Sequence, residues 1–238
     1  MTAATWAGIL TPRFRKVPPM DTPAPWPILS PAEARVLGCL VEKQATTPDV
    51  YPLTVNAAQS AANQKTARDP VLNLSHGDVH HALRQLEGHR LARQSFSSRA
   101  ERYEHTIASR LDLPPPQVVL LALLLLRGAQ TVGELASRSE RMHAFAGADD
   151  VRHHLERLVA KALAFEIPPG GGRREARFVQ LLGGPVDVEA VAATASASTS
   201  GARGSDGDAA LATRVDVLEA EVAALREALD TLLAGQPR

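Results

Sequence analysis

The sequence predicts a mainly α protein with small β-hairpins: two tandem winged-helix domains plus a C-terminal coiled-coil helix. Three observations carry this. A run of three amphipathic helices and two short strands occurs twice, the order of a winged helix. Nine residues of the first third helix, Asp78-Val79-His80-His81-Ala82-Leu83-Arg84-Gln85-Leu86, are echoed 72 residues later as Asp150-Val151-Arg152-His153-His154-Leu155-Glu156-Arg157-Leu158. A heptad of Leu and Val lies near the C-terminal end.

Composition sets the frame. Hydrophobic residues make up 45% of 238 and charged residues 22%, ordinary for a globular chain. Aromatics are only 4%, so the cores must be built from Leu, Val and Ala. The single cysteine, Cys39, excludes an internal disulfide and any site made mainly of thiolates. It sits in an apolar helix pattern and is predicted to be a buried structural residue. The start of the chain lacks the basic and long apolar segments of a signal peptide. The longest apolar run, Val118–Leu126, has nine residues, against about 20 needed to cross a bilayer. A cytoplasmic protein with no membrane contact is expected.

The first 29 residues are proline-rich and predict a flexible arm, with Trp6 and Trp26 as anchors. The first domain is read as residues 30–110. Ser30, Pro31 and Glu33 open a helix with a capping box, and Ala34, Leu37, Leu40 and Val41 form its apolar face. The segment Ala45–Leu53 ends it with two prolines, and a second helix follows at Thr54–Ala62. The third begins after Ser75, with an inward stripe of Val79, Ala82, Leu83 and Leu86, and closes at Gly88 and His89. Strands at Leu91–Phe96 and Arg102–Ile107 flank a predicted loop.

The second domain is read as residues 111–182. Helices are predicted at Pro115–Leu126, Thr131–Ser139 and around the echo. Strands at Ala164–Ile167 and Ala176–Leu181 flank a Gly-rich wing tip. Residues 183–209 read as a flexible linker, rich in Gly, Ala and Ser. Residues 210–234 carry the heptad: Leu211, Val215, Leu218, Val222, Leu225, Leu229 and Leu232. This seam predicts a parallel homodimer, the alternative being an amphipathic helix folded back on the body.

Partners follow from the exposed positions. In the first copy His76, His80, His81 and Arg84 should face outward, with Arg93, Arg99 and Arg102 on the wing. In the second, Arg152, His153 and Arg157 should do so, with Arg173 and Arg174 at the wing tip. Arginine suits phosphate and guanine contacts, so double-stranded DNA is one candidate partner. The net charge is zero, with residues 1–182 at +5 and the tail at −5, a weak footprint for a nucleic-acid binder. A partner protein is the other candidate. The loop with Asn63, Gln64, Lys65 and Arg68 is more polar than a connector needs. It reads either as a recognition surface or as a cap for helix ends. His76 and His80 are one turn apart but lack further ligands, so no metal is expected. No phosphate loop or nucleophile elbow occurs, so neither an enzyme nor a cofactor is expected.

Several stretches carry a family resemblance. They are Glu33–Lys43 (EARVLGCLVEK), Thr46–Leu53 (TTPDVYPL), Asn63–Leu74 (NQKTARDPVLNL), Arg102–His105 (RYEH), Leu126–Leu135 (LRGAQTVGEL) and Arg138–Phe145 (RSERMHAF). Together they resemble the YceH-like family of bacterial proteins, whose function is unassigned. The resemblance implies tandem winged helices and a C-terminal heptad, and brings no activity or ligand. Ala62 stands where that pattern often has Cys, and Val132 where it often has Pro.

Overall fold

The computed structural model describes residues 26–97, 100–169 and 174–184. The heptad, the linker and the first 25 residues lie outside this range, as do Arg99 and Arg173. Among the described residues the fold is mostly helical, with seven α-helices and two small antiparallel sheets. None of these helices is long and apolar enough to cross a membrane.

Two helices form the centre. α1 (Pro31–Thr46) starts at Ser30, whose hydroxyl accepts from Glu33 N–H while the Glu33 carboxylate accepts back, the capping box read from sequence. α5 (Pro115–Arg127) buries every residue from Gln117 to Leu126. A helix apolar on all sides has to sit inside, and α5 does. α1 and α5 approach closely at Gly38. A Cβ there would lie 2.8 Å from Leu126 Cγ and 3.3 Å from the Ala122 carbonyl oxygen.

The remaining elements pack on this pair as two similar repeats. The first adds a two-residue strand β1 (Leu53–Thr54), then α2 (Val55–Ala62), α3 (His76–Gly88), β2 (Ala92–Ser97) and β3 (Ala100–His105). A short α4 (Ile107–Leu111) leads to α5. The second repeat adds α6 (Val132–Ser139), α7 (Ala148–Ala160), β4 (Ala164–Ile167) and β5 (Arg177–Gln180). In the first sheet β3 is central, with Leu53 opposite Tyr103 and Gln94 opposite Tyr103 on the other side. In the second repeat a lone bridge between Gln130 and Phe178 occupies the place of β1.

The echo is exact in the backbone: α3 and α7 each span 13 residues and begin 72 apart. Both end in a Schellman turn, with N–H to C=O bonds from Leu91 to Leu86 and from Leu163 to Leu158. The left-handed residue of that turn is Arg90 (φ 60°) in one copy and Ala162 (φ 56°) in the other. One continuous core runs through both repeats, including Val79, Leu83 and Leu86 beside Val151, Leu155 and Leu158.

The structure corrects the sequence reading in three places. β1 and α4 were not foreseen; Ile107, expected in a strand, opens α4 and is buried. β2 and β3 extend to Ser97 and Ala100, beyond the predicted loop edges. Ala100 and Glu101 are exposed, so no buried alternation marked them as strand. α3 ends at Gly88 with His89 as its C-cap, as the sequence predicts, and the left-handed turn follows at Arg90. Residues 26–29, assigned to the arm, are docked: Leu29 is buried and donates to the Leu182 carbonyl, and Trp26 Nε1 donates to the Lys161 carbonyl at 3.1 Å.

Gly38 gives the first prediction. Gly38→Ala should cost about 1–3 kcal/mol by overpacking the α1–α5 contact. Gly88→Ala, where an added Cβ meets nothing within 4 Å, should be neutral or slightly stabilising. Urea midpoints of the two variants check this; equal midpoints would refute the close-contact argument.

Candidate nucleic-acid interface

α3 is held by its buried stripe of Val79, Ala82, Leu83 and Leu86, and its start is fixed by a Ser75–Asp78 capping box. This turns His76, His80, His81 and Arg84 outward together, and all four are exposed. The hairpin β2–β3 stands beside them. His80 Nε2 lies 3.6 Å from a Glu101 carboxylate oxygen on β3. Arg84 Nη1 lies 3.0 Å from Glu87 and donates to Gln94 Oε1 on β2 at 3.2 Å. Arg93 pairs with Glu104 along the same sheet. The cations of this face are thus interleaved with carboxylates.

Arg102 behaves differently from its predicted role as a wing cation. Its guanidinium is half-buried and donates to the Pro52 carbonyl at 2.8 Å, tying β3 to the loop before β1. The neighbouring Tyr103 is fully buried. His105 Nε2 lies 2.6 Å from Gln44 Oε1, and its backbone N–H donates to the Tyr51 hydroxyl at 2.7 Å. The Arg-Tyr-Glu-His motif therefore clamps the Tyr51–Pro52 segment.

In the second repeat the predicted residues divide into two groups. Arg152 and Arg174 line a groove of about 650 Å³ between α6, α7 and the β4–β5 hairpin. Arg152 is 3.4 Å from Glu166, and its guanidinium carbon lies 5.8 Å from the Phe178 ring centre. Asp149, Glu166 and Glu175 share this groove, so it is not cationic. His153 and Arg157 point away from it, towards the α4–α5 connection.

The polar loop after α2 turns inward. Asn63 Nδ2 donates to the Leu74 carbonyl and Asn63 Oδ1 accepts from Leu74 N–H, so this side chain caps the loop. Arg68, a predicted recognition residue, is corrected to a buried one, with its side chain 0% exposed. It makes a two-pronged contact to Glu42 (3.1 and 2.6 Å) and donates to the Ala61 carbonyl and Gln64 Oε1. Arg35 is buried nearby and donates to the Ala62 and Pro70 carbonyls. Of the four loop residues only Lys65 is exposed. Cys39 is fully buried beside them, and burial pushes its thiol up to about 11. It is therefore a poor nucleophile.

Among the described residues no three His, Cys, Asp or Glu side chains converge as metal ligands. Sequence reasoning missed His154, Lys161 and Gln117, which line a cleft of about 630 Å³ between the α4–α5 connection and α7. Gln117 had one signal, the Pro-Pro-Pro-Gln run opening α5, and His154 lay within the echo.

Fold and site define a helical protein with two repeated three-helix units, each backed by a small antiparallel sheet and each presenting a polar third helix. The sequence profile of a family described as "Protein of unknown function, DUF480" matches residues 29–173. A UPF0502 protein of Xanthomonas axonopodis pv. citri is 59% identical over 215 residues, covering 90% of this chain and 97% of that one. A UPF0502 protein of Xanthomonas euvesicatoria pv. vesicatoria is 61% identical over the same length and coverage. One from Stenotrophomonas maltophilia is 59% identical over 206 residues, 87% of this chain and 94% of its own. The chain belongs to this DUF480/UPF0502 family of bacterial proteins, and the YceH-like resemblance is compatible with that.

Burial gives the second prediction. His105 is held down to about 4 by desolvation, against a weaker opposing pull from Glu104. The unfolded chain therefore takes up this proton first on acidification. Stability is full above the ordinary value of 6.5 and falls as pH drops from there towards 4. Going from pH 7 to 5 should cost on the order of 2 kcal/mol through this group. His105→Gln should flatten the pH dependence of the urea midpoint by that amount. An unchanged slope in the variant would remove His105 as its source.

Proposed function

We propose that the two repeats are tandem winged helices and that the protein is a non-enzymatic, cytoplasmic DNA-binding regulator or nucleoid-associated protein. The order helix, short strand, two helices and hairpin in both repeats supports this reading of the fold. The observation that carries the partner is the outward face of α3. His76, His80, His81 and Arg84 stand exposed on one helix beside a hairpin, the placement that lets a recognition helix enter a major groove. Their carboxylate neighbours do not forbid this. Exposed ion pairs are worth roughly 0–1 kcal/mol, so Arg84 can exchange Glu87 for a phosphate at little cost.

Anisotropy titration of the full chain against 30-bp duplexes at two salt concentrations tests the reading. Binding should appear at low salt and weaken as salt rises. Arg84→Ala should lower affinity and reduce the log–log salt slope by about 0.9 for the lost phosphate contact. No binding at low salt would reject the proposal.

A protein-interaction scaffold is the second reading. The groove of the second repeat favours it, because three carboxylates face two arginines there. The same titration separates the readings, since a scaffold gives no salt-dependent DNA signal.

We also infer a homodimer through the heptad of Leu211, Val215, Leu218, Val222, Leu225, Leu229 and Leu232, which lies outside the described residues. Full chain should scatter light with twice the monomer mass, and Leu218→Pro should scatter as a monomer. Equal masses for the two would reject the heptad as the seam.

A further inference from the structure

A hollow of about 430 Å³ lies at the base of the first hairpin, where the end of α3, the first residues of β2 and the short α4 meet. Glu87, Arg90, Arg93, Thr106 and Arg110 line it. Three arginines thus reach one concave surface from three separate elements.

Two of their charges are uncompensated. Glu87 pairs with Arg84, and Arg93 pairs with Glu104. Arg90 is exposed and makes no side-chain hydrogen bond or ion pair among the described residues. Arg110 is also exposed and has no carboxylate partner among them. Its Nε donates to the His89 carbonyl at 3.3 Å, and its guanidinium carbon lies 6.0 Å from the Trp26 ring centre. Both of its terminal nitrogens keep their N–H groups for another acceptor. The backbone does not offset these charges. The carbonyls of Gln85, Leu86 and Glu87 at the end of α3 accept from His89, Leu91 and Arg90 N–H, and the Thr106 hydroxyl donates to the Arg90 carbonyl.

The second repeat is a built-in comparison. The 72-residue offset puts Glu156 at the position of Arg84, Ala162 at that of Arg90 and Phe165 at that of Arg93. Ala162 holds the same left-handed conformation as Arg90, φ 56° against 60°. Neither the turn nor the core therefore calls for an arginine at 90. The cations at this end of the third helix belong to the first repeat alone.

We propose that Arg90 and Arg110 hold a phosphate of the DNA backbone beside the major groove that α3 enters. This contact rests on the DNA-binding reading of α3 and adds a second point of attachment to it. α3 has 13 residues, about 20 Å of helix. The major groove is about 12 Å wide, and a recognition helix meets base edges with its N-terminal residues. With His76 and His80 in the groove, the far end of α3 emerges beside a strand of phosphates. Arg90 and Arg110 stand at that end. Glu87 joins the hollow to Arg84, so the contact continues the outward face of the helix. A guanidinium grips phosphate oxygens through paired N–H groups. Such a contact fixes the register on the duplex and reads no sequence.

Anisotropy titration of the full chain against two 30-bp duplexes of unlike sequence tests it. Arg90→Ala should weaken binding about tenfold at about 50 mM salt and lower the log–log salt slope by about 0.9, on both duplexes alike. Arg90→Lys should keep the slope, because the charge stays. Ala162 shows that the turn accepts alanine, so the melting temperature of Arg90→Ala should stay where it is. Arg110→Gln, outside that turn, should lower the slope by the same amount. The contact is overturned if the unchanged chain binds and either Arg90→Ala or Arg110→Gln leaves the slope as it was; DNA binding by α3 then stands without it. A loss confined to one duplex also overturns it, since both carry the same phosphates. If the unchanged chain fails to bind at low salt, the contact and the DNA-binding reading fall together.

Discussion

The contact between α1 and α5 is the constraint on which the rest depends. Each is the first helix of its repeat, and each buries most of its surface. Nine consecutive residues of α1, Glu33 to Val41, and ten of α5, Gln117 to Leu126, are buried. A three-helix unit with a two- or three-stranded sheet cannot cover such helices alone. Gly38 lets them meet without a Cβ between, and Cys39, Ala61, Ala62 and Leu126 close the seam beside it. The two repeats are thus halves of one core.

That shared core explains which parts of the repeat stayed alike. The stripe Val79, Leu83, Leu86 and Leu91 and its counterpart Val151, Leu155, Leu158 and Leu163 are all fully buried. So is the geometry that follows from them, since the Schellman turn needs its apolar pair, Leu86 with Leu91 and Leu158 with Leu163. The turn forces a left-handed residue even though neither copy supplies a glycine there. Apolar packing at the helix end outweighs the local strain, roughly 1–2 kcal/mol for a residue with a Cβ.

Much of the fold was legible because it is local. The capping box at Ser30, the N-cap at Ser75, the helical stripes and β4 could be read from spacing alone. β1 is two residues long and exists only because β3 offers an edge, so no periodicity marks it. The site was less legible for a different reason. A charge in a sequence reads as surface, but Arg35, Arg68 and Arg102 spend their donors on backbone carbonyls left open by loops. A guanidinium has five donors in a fixed fork, so it can close several such carbonyls at once. The loop at 63–70, open in sequence between a recognition surface and a cap for helix ends, is a brace in the fold, with Arg68 buried. Similarly, Arg138 donates to Gln130 Oε1, and Gln130 donates to the Leu123 carbonyl, which ties α6 to α5.

With those side chains committed inward, the difference between the repeats lies on the third helices. α3 keeps its four outward cations and histidines on one face. α7 splits its set, sending Arg152 to the hairpin groove and His153 and Arg157 to the cleft against the α4–α5 connection. The split has a packing cause. α7 faces the connection between α4 and α5, and Lys161 reaches across to Leu111 and Asp112 to hold it. α3 ends at His89 instead, which turns back to Glu33 at 3.8 Å within its own repeat. The same backbone thus carries one third helix whose outward face is open. The other is walled on one side by the α4–α5 connection.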